Sequence, residues 1–444
     1  MSRRLLLLAS FALIATACSA PPSSPVEPVD TLALYPTPRY LSEVGLGVRY
    51  AHPQLVFDSA LPPDLDPAAR AAWDAGGVDR FVLLSRLESG QAIVRAYAEN
   101  ARARGYASAV AKSLVDRQGR IHFATVVDGA LFANRGLIEG HYGAPLLSWQ
   151  RRCLIERLGT LRANVYLYGP KDDPYAHARW ADPYPPAEAT AIVEAVTSAR
   201  AHGVDFVWAV SPGLQEYYPA PGGSIGFSSD ADFARLTAKI DAMRALGVER
   251  FALFLDDIDQ GLVYAEDLSA FATPAAAHAS LVNRLDAYVT AAGAANLLFV
   301  GPYYTTKLDG WRDWAVEMGQ RLAPGIEILW TGPAIYSDDI TVTDLSGPDA
   351  ALGRRVTIWD NQPRGPVAID GRDPTLPTAA AGFLSNTVMF QSGYSFEDFW
   401  KILGPLTDYG WNPLAYEPDY SIGEWATILL TADSCAASSD PTSS

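Results

Sequence analysis

The sequence is poor in residues that bind metal ions and in positive charge. It has only 6 histidines and 3 cysteines, and none of them follows the HExxH or CxxC spacing of common zinc sites. Lysine and arginine number 34 against 50 aspartate and glutamate residues, which gives a formal net charge of −16. Such a balance disfavours binding to nucleic-acid phosphates or to an anionic membrane surface. We therefore predict no metal, no cofactor and no nucleic-acid partner.

Beyond the N-terminus, the sequence lacks any apolar run near the ~20 residues that cross a bilayer. Residues 1–17 combine two arginines, a short apolar stretch and small residues directly before Cys18, which is typical of an export signal. Residues 15–18 resemble a bacterial lipobox, in which the cysteine becomes an acylated N-terminus. The alternative is ordinary cleavage after Ala17. We expect an exported protein: a lipoprotein that touches a membrane only through this anchor, at the periplasmic or cell surface, or otherwise a secreted protein.

The rest of the chain has enough apolar residues, 49% of the sequence, to fill a large core. Proline and serine dominate residues 18–30, which we interpret as a tether. Short apolar runs and an alanine-rich stretch at 89–104, which we expect to be helical, predict a small α/β domain over residues 31–130. A larger domain is predicted over residues 131–436, followed by a disordered tail at 437–444. We expect a monomer.

In the larger domain, short apolar runs alternate with amphipathic helical stretches, as they do in βαβ units. The predicted strands are residues 136–139, 163–169, 205–211, 250–255, 296–302, 326–332, 355–361 and 382–386. The predicted helices between them include residues 148–158, 187–202, 230–246 and 274–292. Eight alternating units favour a (β/α)8 TIM barrel over an open doubly wound sheet. Functional residues are then expected at the C-terminal ends of the strands.

One pair of adjacent acids lies at such a strand end. Asp256 and Asp257 directly follow the apolar run at 251–255. The pairs at 172–173 and 338–339 lie in polar loops, where capping and salt bridging explain them equally well. Because successive strand residues point in opposite directions, we expect the two carboxylates to address different parts of one substrate.

Paired carboxylates are the groups that glycoside cleavage needs. One must be protonated for the leaving oxygen, and the other must stabilise developing positive charge. An immediate neighbour of the acid is badly placed to attack the anomeric carbon from the opposite face. Substrate assistance removes this problem, since the sugar's own 2-acetamido oxygen attacks while the neighbouring aspartate orients it. The pair therefore predicts hydrolysis of an N-acetylhexosamine glycoside.

Six short motifs follow one another along residues 134–386. They are EGHYG at 139–143, YGPKDDPY at 168–175, SPGL at 211–214, FALFLDDID at 251–259, LWTGP at 329–333 and IWDN at 358–361. Together they resemble glycoside hydrolase family 84, the family of bacterial β-N-acetylglucosaminidases and O-GlcNAcases. The resemblance implies a retaining, exo-acting enzyme that removes terminal N-acetylglucosamine from glycans or glycoproteins by substrate-assisted catalysis. It also implies a TIM-barrel catalytic domain preceded by a small α/β domain.

The same resemblance implies roles for individual residues. Asp256 would polarise the acetamido group, and Asp257 would act first as general acid and then as general base. The implied substrate-binding residues are Gly140, Lys171, Tyr304, Trp359, Asn361 and Asn386.

The sequence departs from the family pattern after the WDN segment. Family members carry an aspartate there, whereas residues 362–366 read QPRGP. Asp370 or Asp373 would have to replace it from a rearranged loop. Two alternatives therefore stay open: a non-catalytic carbohydrate-binding protein on a degenerate hydrolase scaffold, or a hydrolase that cuts hyaluronan-type or peptidoglycan-type polymers internally.

The two cysteines that remain after Cys18 lead to a prediction about a disulfide. Residues 422–430 are predicted to form the last barrel helix, next to the first barrel helix, which carries Cys153, and Cys435 follows closely. An oxidising compartment permits Cys153 and Cys435 to pair, and we hypothesise that they do; the alternative is that both are buried thiols. Thiol titration of the denatured, unreduced mature protein should find neither cysteine free. Two free thiols would eliminate the pairing.

Overall fold

The computed structural model describes Leu32, Leu34 and residues 38–49, 53–116, 118–213, 224–361, 369–388, 390, 393 and 396–418. The described residues from Leu34 onward form one compact unit. Several predictions lie outside the described residues: the export signal at 1–17, Cys18, the tether at 18–30, the helix at 422–430, Cys435 and the tail at 437–444.

A small α/β domain comes first. Its sheet has the strand order β1-β5-β3-β4-β2. The strands are β1 (Tyr40–Arg49), β2 (Gln54–Phe57), β3 (Val78–Glu88), β4 (Gln91–Ala98) and β5 (Arg120–Ala130), and the helices are α1 (Pro67–Asp74) and α2 (Ala101–Ser113). All pairings are antiparallel except the parallel pair β2 and β4.

The predicted helix at 89–104 is wrong over most of its length, because residues 91–98, half of that stretch, form the strand β4 and only residues 101–104 are helical. Alternate residues Ala92, Val94 and Ala96 are buried, which is the period of two expected of a half-buried strand. The high helix propensity of alanine misled the prediction, and antiparallel pairing with β3 overrides it. Helix α2 starts only after Asn100, whose side chain caps it by accepting a hydrogen bond of 2.8 Å from the Ala103 N–H.

Within the described part of the chain, eight parallel strands close into a barrel in the order β10-β11-β12-β13-β6-β7-β8-β9. The strands are β6 (Asn134–Glu139), β7 (Val165–Tyr168), β8 (Asp205–Val210), β9 (Arg250–Phe254), β10 (Leu298–Val300), β11 (Glu327–Trp330), β12 (Thr357–Asp360) and β13 (Gly382–Asn386). Each coincides with one of the predicted strands to within a few residues. The prediction of a TIM barrel is confirmed.

Helices cover the outside of the barrel. They are α3 (Ser148–Thr160), α4 (Pro186–Ala201), α5 (Asp230–Ala245), α6 (Ala265–Ala270), α7 (Pro274–Ala291), α8 (Trp311–Arg321), α9 (Val342–Leu352) and α10 (Phe396–Trp411), with 3-10 turns at Leu376–Thr378 and Pro413–Ala415. Local signals set several of their starts. Ser229 caps α5 and Thr273 caps α7, each by accepting a backbone N–H three residues later. No helix among the described residues has both the length and the apolar character needed to span a bilayer.

Alternation along the strands divides the barrel residues into two apolar layers. Ala252 and Phe254 of β9 join an inner cluster that fills the barrel, whereas Phe251 and Leu253 join the outer cluster beneath the helices. Phe254 lies at the C-terminal end of the inner layer, where its ring centroid is 5.1 Å from that of Trp359. The filled barrel therefore closes below its C-terminal mouth.

A buried group of charges joins the small domain to the barrel. Arg135 of β6 donates to Asp79 at 2.8 Å, and Arg162 donates to Asp128 at 2.7 Å. The Trp411 ring lies between the two guanidinium groups, 5.0 Å from each. Buried ion pairs tolerate the loss of one partner poorly, so these contacts couple the two parts of the fold.

Cys153 lies buried on α3 and is disulfide-bonded. Since Cys435 is outside the described residues, its pairing with Cys153 stays a prediction.

Two glycine substitutions test the strand packing of the barrel. A Cβ added to Gly136 in β6 would lie 2.0 Å from the carbonyl oxygen of Val165 in β7, so Gly136→Ala should lower the free energy of unfolding by ~3 kcal/mol. The matched change Gly105→Ala, in α2, meets open space and should raise it by about 0.5–1 kcal/mol. Urea denaturation measures both, and equal midpoints for the two variants would contradict this strand packing.

Candidate functional site

A cavity of about 210 Å³ opens at the C-terminal ends of the barrel strands. The residues that line it are Gly140, Tyr142, Lys171, Asp256, Asp257, Val300, Tyr304, Thr331, Ile335, Tyr336, Trp359, Asn361, Asn386 and Val388. All eight residues that the sequence assigned to catalysis or sugar binding are in this set. They come from the C-terminal ends of six different strands or from the loops that follow, which only the closed barrel brings together.

The acid pair does not have the geometry that the sequence reasoning assumed. Strand β9 ends at Phe254, and Asp257 adopts a left-handed backbone conformation with φ of +60°. The alternation of strand side chains therefore stops before the pair, and both carboxylates face the same cavity. A non-glycine residue in this region is energetically unfavourable and often occurs at functional sites.

Two tyrosine hydroxyls hold the Asp257 carboxylate. Tyr142 donates to Oδ2 at 2.7 Å, and Tyr304 donates to Oδ1 at 2.8 Å. Burial, and then the charge of Asp257, raise the pKa of Tyr304, so its hydroxyl stays protonated and able to donate. Sequence reasoning missed Tyr142, although it lies in the EGHYG motif two residues after Gly140.

The Asp256 carboxylate is buried and asymmetrically bonded. Its Oδ2 accepts from the Lys171 ammonium, whereas its Oδ1 is buried without a hydrogen-bond partner among the described residues. Burial raises the pKa of Asp256, and the attraction of Lys171 opposes that rise. Unsatisfied buried acceptors are rare and unfavourable, so Oδ1 is available to a donor group of a ligand.

A chain of hydrogen bonds fixes the opposite wall. Asn361 Oδ1 accepts from Trp359 Nε1 at 2.7 Å and from Asn386 Nδ2 at 2.9 Å, while Asn386 Oδ1 accepts from the Gly140 N–H at 3.0 Å. Asn361 Nδ2 donates to the carbonyl oxygen of Ile335 at 2.8 Å. These hydrogen bonds hold the wall rigid. Since each amide nitrogen carries two hydrogens, Asn361 and Asn386 each keep one N–H that can donate to a ligand.

Glu139 ends strand β6 but supports the site from outside the cavity. It is fully buried and accepts from Arg151 at 2.8 Å and from the Tyr166 hydroxyl at 2.5 Å. Although burial alone would raise the pKa of Glu139, the ion pair with Arg151 holds it below its ordinary value. Glu139 also accepts from the Leu146 N–H at 2.9 Å, so it shapes the loop that carries Gly140 and Tyr142.

Neither acid suggested as a replacement for the missing family aspartate lines the cavity. Asp373 accepts from the N–H and hydroxyl of Thr375 at 2.8 and 2.7 Å. The carbonyl of Asp370 accepts from Arg372 at 3.3 Å, and Arg372 pairs with the buried Asp360. Both residues belong to a segment that docks beside the strand ends rather than in the cavity, and residues 362–368 are outside the described part.

Within the described part of the chain, no three His, Cys, Asp or Glu side chains come together in a way that could hold a metal ion.

Comparisons with known proteins agree with this site. A family model described as beta-N-acetylglucosaminidase matches residues 135–438. The protein O-GlcNAcase of Mus musculus is 34% identical over 246 residues, covering 54% of this chain and 25% of the mouse protein. The protein O-GlcNAcase of Rattus norvegicus is 33% identical over 231 residues, covering 51% and 24%. The chain thus spans about a quarter of the length of these relatives.

Solved structures show the same architecture. A mutant of the Thermobaculum terrenum O-GlcNAc hydrolase superposes with a TM-score of 0.62 at 27% identity, over 69% of this chain and 65% of that one. The structure of CpGH84B superposes with a TM-score of 0.73 over 90% of this chain and 75% of that one, and its 21% identity supports the fold alone.

The barrel, the acid pair at its mouth and the family match together define a glycoside hydrolase scaffold. The chain belongs to the beta-N-acetylglucosaminidase family, which is glycoside hydrolase family 84.

The close packing around Gly140 predicts that even one added methyl group obstructs the cavity. A Cβ there would lie 2.9 Å from both Ile138 Cγ2 and Trp359 Cζ2, and 3.0 Å from Asn386 Oδ1. Gly140→Ala should therefore weaken N-acetylglucosamine binding by roughly tenfold or more, since displacing core side chains costs ~1–3 kcal/mol. Calorimetric titration measures the Kd. The control is Gly261→Ala, in the loop after the acid pair, where a Cβ meets open space; equal affinity of both variants would refute the prediction.

Proposed function

We propose that this protein is an exo-acting, retaining β-N-acetylglucosaminidase that removes terminal N-acetylglucosamine from glycoconjugates by substrate-assisted catalysis. The observation that carries the proposal is the buried Asp256 Oδ1 atom, which lacks a partner among the described residues and lies beside Asp257 in one cavity. This oxygen would accept a hydrogen bond from the N–H of an acetamido group.

The two carboxylates have different neighbours, because one cation is closer to Asp256. The Lys171 ammonium contacts Asp256 directly, whereas its distance to Asp257 Oδ2 is 3.9 Å. Lys171 favours the ionised form of Asp256 against the burial that raises its pKa, which suits Asp256 to accept the acetamide N–H. Asp257 takes the other role and gives a proton to the leaving oxygen.

In the first step, Asp256 Oδ1 accepts the acetamide N–H and orients the group. The acetamide carbonyl oxygen attacks the anomeric carbon while the bond to the leaving oxygen breaks, and Asp257 gives its proton to that oxygen. In the second step, Asp257 takes a proton from water while the water oxygen attacks the anomeric carbon. The bond between that carbon and the acetamide oxygen breaks, which reopens the ring formed in the first step. Two inversions at one carbon give retention of configuration.

The size of the cavity supports cleavage at a chain end. Its volume of about 210 Å³ is below the roughly 300–1,000 Å³ of sites that bury drug-sized ligands. A cavity of this size suits one monosaccharide ring rather than several consecutive ones. The name shared by the mouse and rat relatives, protein O-GlcNAcase, supports glycoproteins as one substrate class. Export and a lipid anchor on Cys18 would place the activity outside the cytoplasm.

Leaving-group dependence separates the roles of the two acids. Asp257→Asn should reduce kcat/KM on alkyl β-N-acetylglucosaminides by about 10²–10⁴-fold, the usual contribution of general acid catalysis. Its loss should be much smaller on aryl glycosides whose phenol leaves without protonation. Asp256→Asn should impair all of these substrates alike, because acetamide attack precedes departure of every leaving group. Chromophore release and product stereochemistry by NMR provide the measurements.

The alternatives make different predictions in the same assays. A wild-type protein that binds a thiazoline mimic of the cyclised intermediate but releases no chromophore is a carbohydrate-binding protein. Internal cleavage of a hyaluronan-type or peptidoglycan-type polymer, seen as large products on sizing, would overturn exo action. Equal sensitivity of Asp257→Asn and Asp256→Asn to the leaving group would refute the division of roles.

A further inference from the structure

A buried histidine lies between two residues of the cavity wall. His141 is 1% exposed and separates Gly140 from Tyr142, both of which line the cavity. Its backbone carbonyl oxygen accepts the Lys171 N–H at 3.1 Å. Its imidazole ring is not part of the cavity lining and takes no part in the steps proposed above. The ring therefore needs an explanation of its own.

The hydrogen bonds of the imidazole determine where its proton lies. Nε2 is 3.3 Å from the carbonyl oxygen of Ala144, and Nδ1 is 2.7 Å from the hydroxyl oxygen of Thr387. Because a carbonyl oxygen can only accept, Nε2 carries the proton and Nδ1 accepts from the hydroxyl. Burial lowers the pKa of His141, although the nearby Glu139 carboxylate opposes that change. The ring is therefore neutral at neutral pH, as this pattern of bonds requires.

The bond to Thr387 joins the loops that follow the first and the last barrel strands. Strands β6 and β13 pair with Ile138 opposite Asn386. Two hydrogen bonds continue this pairing at the strand ends: the Thr387 N–H donates to the Ile138 carbonyl at 3.0 Å, and the Gly140 N–H donates to Asn386 Oδ1 at 3.0 Å. The bond between His141 and Thr387 is the next one, and both of its residues lie beyond the strands.

Each of the two joined loops carries a residue that the proposed reaction needs. Tyr142 directly follows His141, and its hydroxyl donates to Asp257 Oδ2 at 2.7 Å. Asn386 directly precedes Thr387, and its Nδ2 donates to Asn361 Oδ1 at 2.9 Å in the opposite wall. A shift of one loop relative to the other would change the position of these groups. A displacement of about 1 Å at a catalytic group can lower the rate by up to about 10²-fold.

Packing alone does not require a histidine at this position. The ring centroid lies 5.3 Å from that of Phe390, a contact that a phenylalanine ring would also make. Two buried apolar side chains of matching shape can be as stable as a buried hydrogen-bonded pair. The hydrogen bond adds a fixed distance and direction between the two loops.

We propose that His141 is a positioning residue, whose imidazole binds the Thr387 hydroxyl and so sets the relative position of the loops after β6 and β13. Through these loops it keeps Tyr142 on the general acid and Asn386 in the wall that faces the sugar. The inference rests on the proposed function and adds to it a side chain that does not line the cavity.

The test is a double-mutant cycle with His141→Phe and Thr387→Val. Phenylalanine keeps an aromatic ring and valine keeps the shape of threonine, but either change removes the hydrogen bond. Each single variant should lower kcat/KM on alkyl β-N-acetylglucosaminides roughly 10-fold. The loss should be smaller on aryl glycosides whose phenol leaves without a proton from Asp257. Because both changes remove the same bond, the double variant should lose no more than either single variant.

His278→Phe is the matched control. His278 of α7 is also buried, and it accepts from the Trp314 indole N–H at 3.1 Å, but it does not line the cavity. Its replacement leaves a buried donor unpaired and should lower Tm. A smaller folded fraction would reduce kcat/KM by one common factor on alkyl and aryl substrates. The conservative variant His141→Asn, whose Oδ1 can accept in place of Nδ1, should recover part of the loss.

Three results would overturn the inference: wild-type kcat/KM in both single variants, additive losses in the cycle, or a fall in Tm with the same loss on both substrate classes, which would assign His141 to folding. If His141→Phe does not fold, Thr387→Val carries the same comparison of substrates. If the wild type hydrolyses neither class, the proposed function fails. The calorimetric Kd for N-acetylglucosamine should then still rise in both single variants, because Asn386 is displaced, and an unchanged Kd would reject the role of His141.

Discussion

The contact between the Lys171 ammonium and the Asp256 carboxylate is the interaction on which the site depends. It gives the Asp256 carboxylate a counter-ion, occupies its Oδ2 and leaves its Oδ1 open to a donor. For this contact to form, the loop after β7, which carries Lys171, and the loop after β9, which carries Asp256, must be placed relative to each other to about an ångström. Asp173 fixes the loop that carries Lys171, and Glu139 fixes the loop of His141, whose carbonyl accepts the Lys171 N–H.

Strand positions were predictable because a barrel strand is buried on both faces. Apolar runs as short and continuous as 250–255 and 326–332 are typical of such strands and of little else in a globular domain. The small domain was harder, since alanine at 92 and 96 favours a helix in isolation and becomes a strand only through pairing with β3. Propensity describes a segment alone, whereas β pairing depends on a distant partner.

The site was predictable to the level of motifs but not of backbone conformation. The eight assigned residues meet in one cavity because they lie at the C-terminal ends of six barrel strands or in the loops that follow. The prediction from strand alternation was wrong at Asp257, because no glycine in the sequence marks the left-handed backbone conformation that this residue adopts. Tyr142 was overlooked because a single aromatic residue has no spacing to identify it, and its role is visible only in its hydrogen bond to Asp257.

The Trp411 ring, held between the guanidinium groups of Arg135 and Arg162, determines how this chain can be divided. The carboxylates that neutralise these cations belong to the small domain, and the ring comes from the last described helix. A barrel cut free at its first strand would carry two exposed arginines and an uncovered tryptophan at its floor. The barrel alone is therefore a poor unit to move into another protein. Chimeras with relatives should exchange the small domain, the barrel floor and the last helix together.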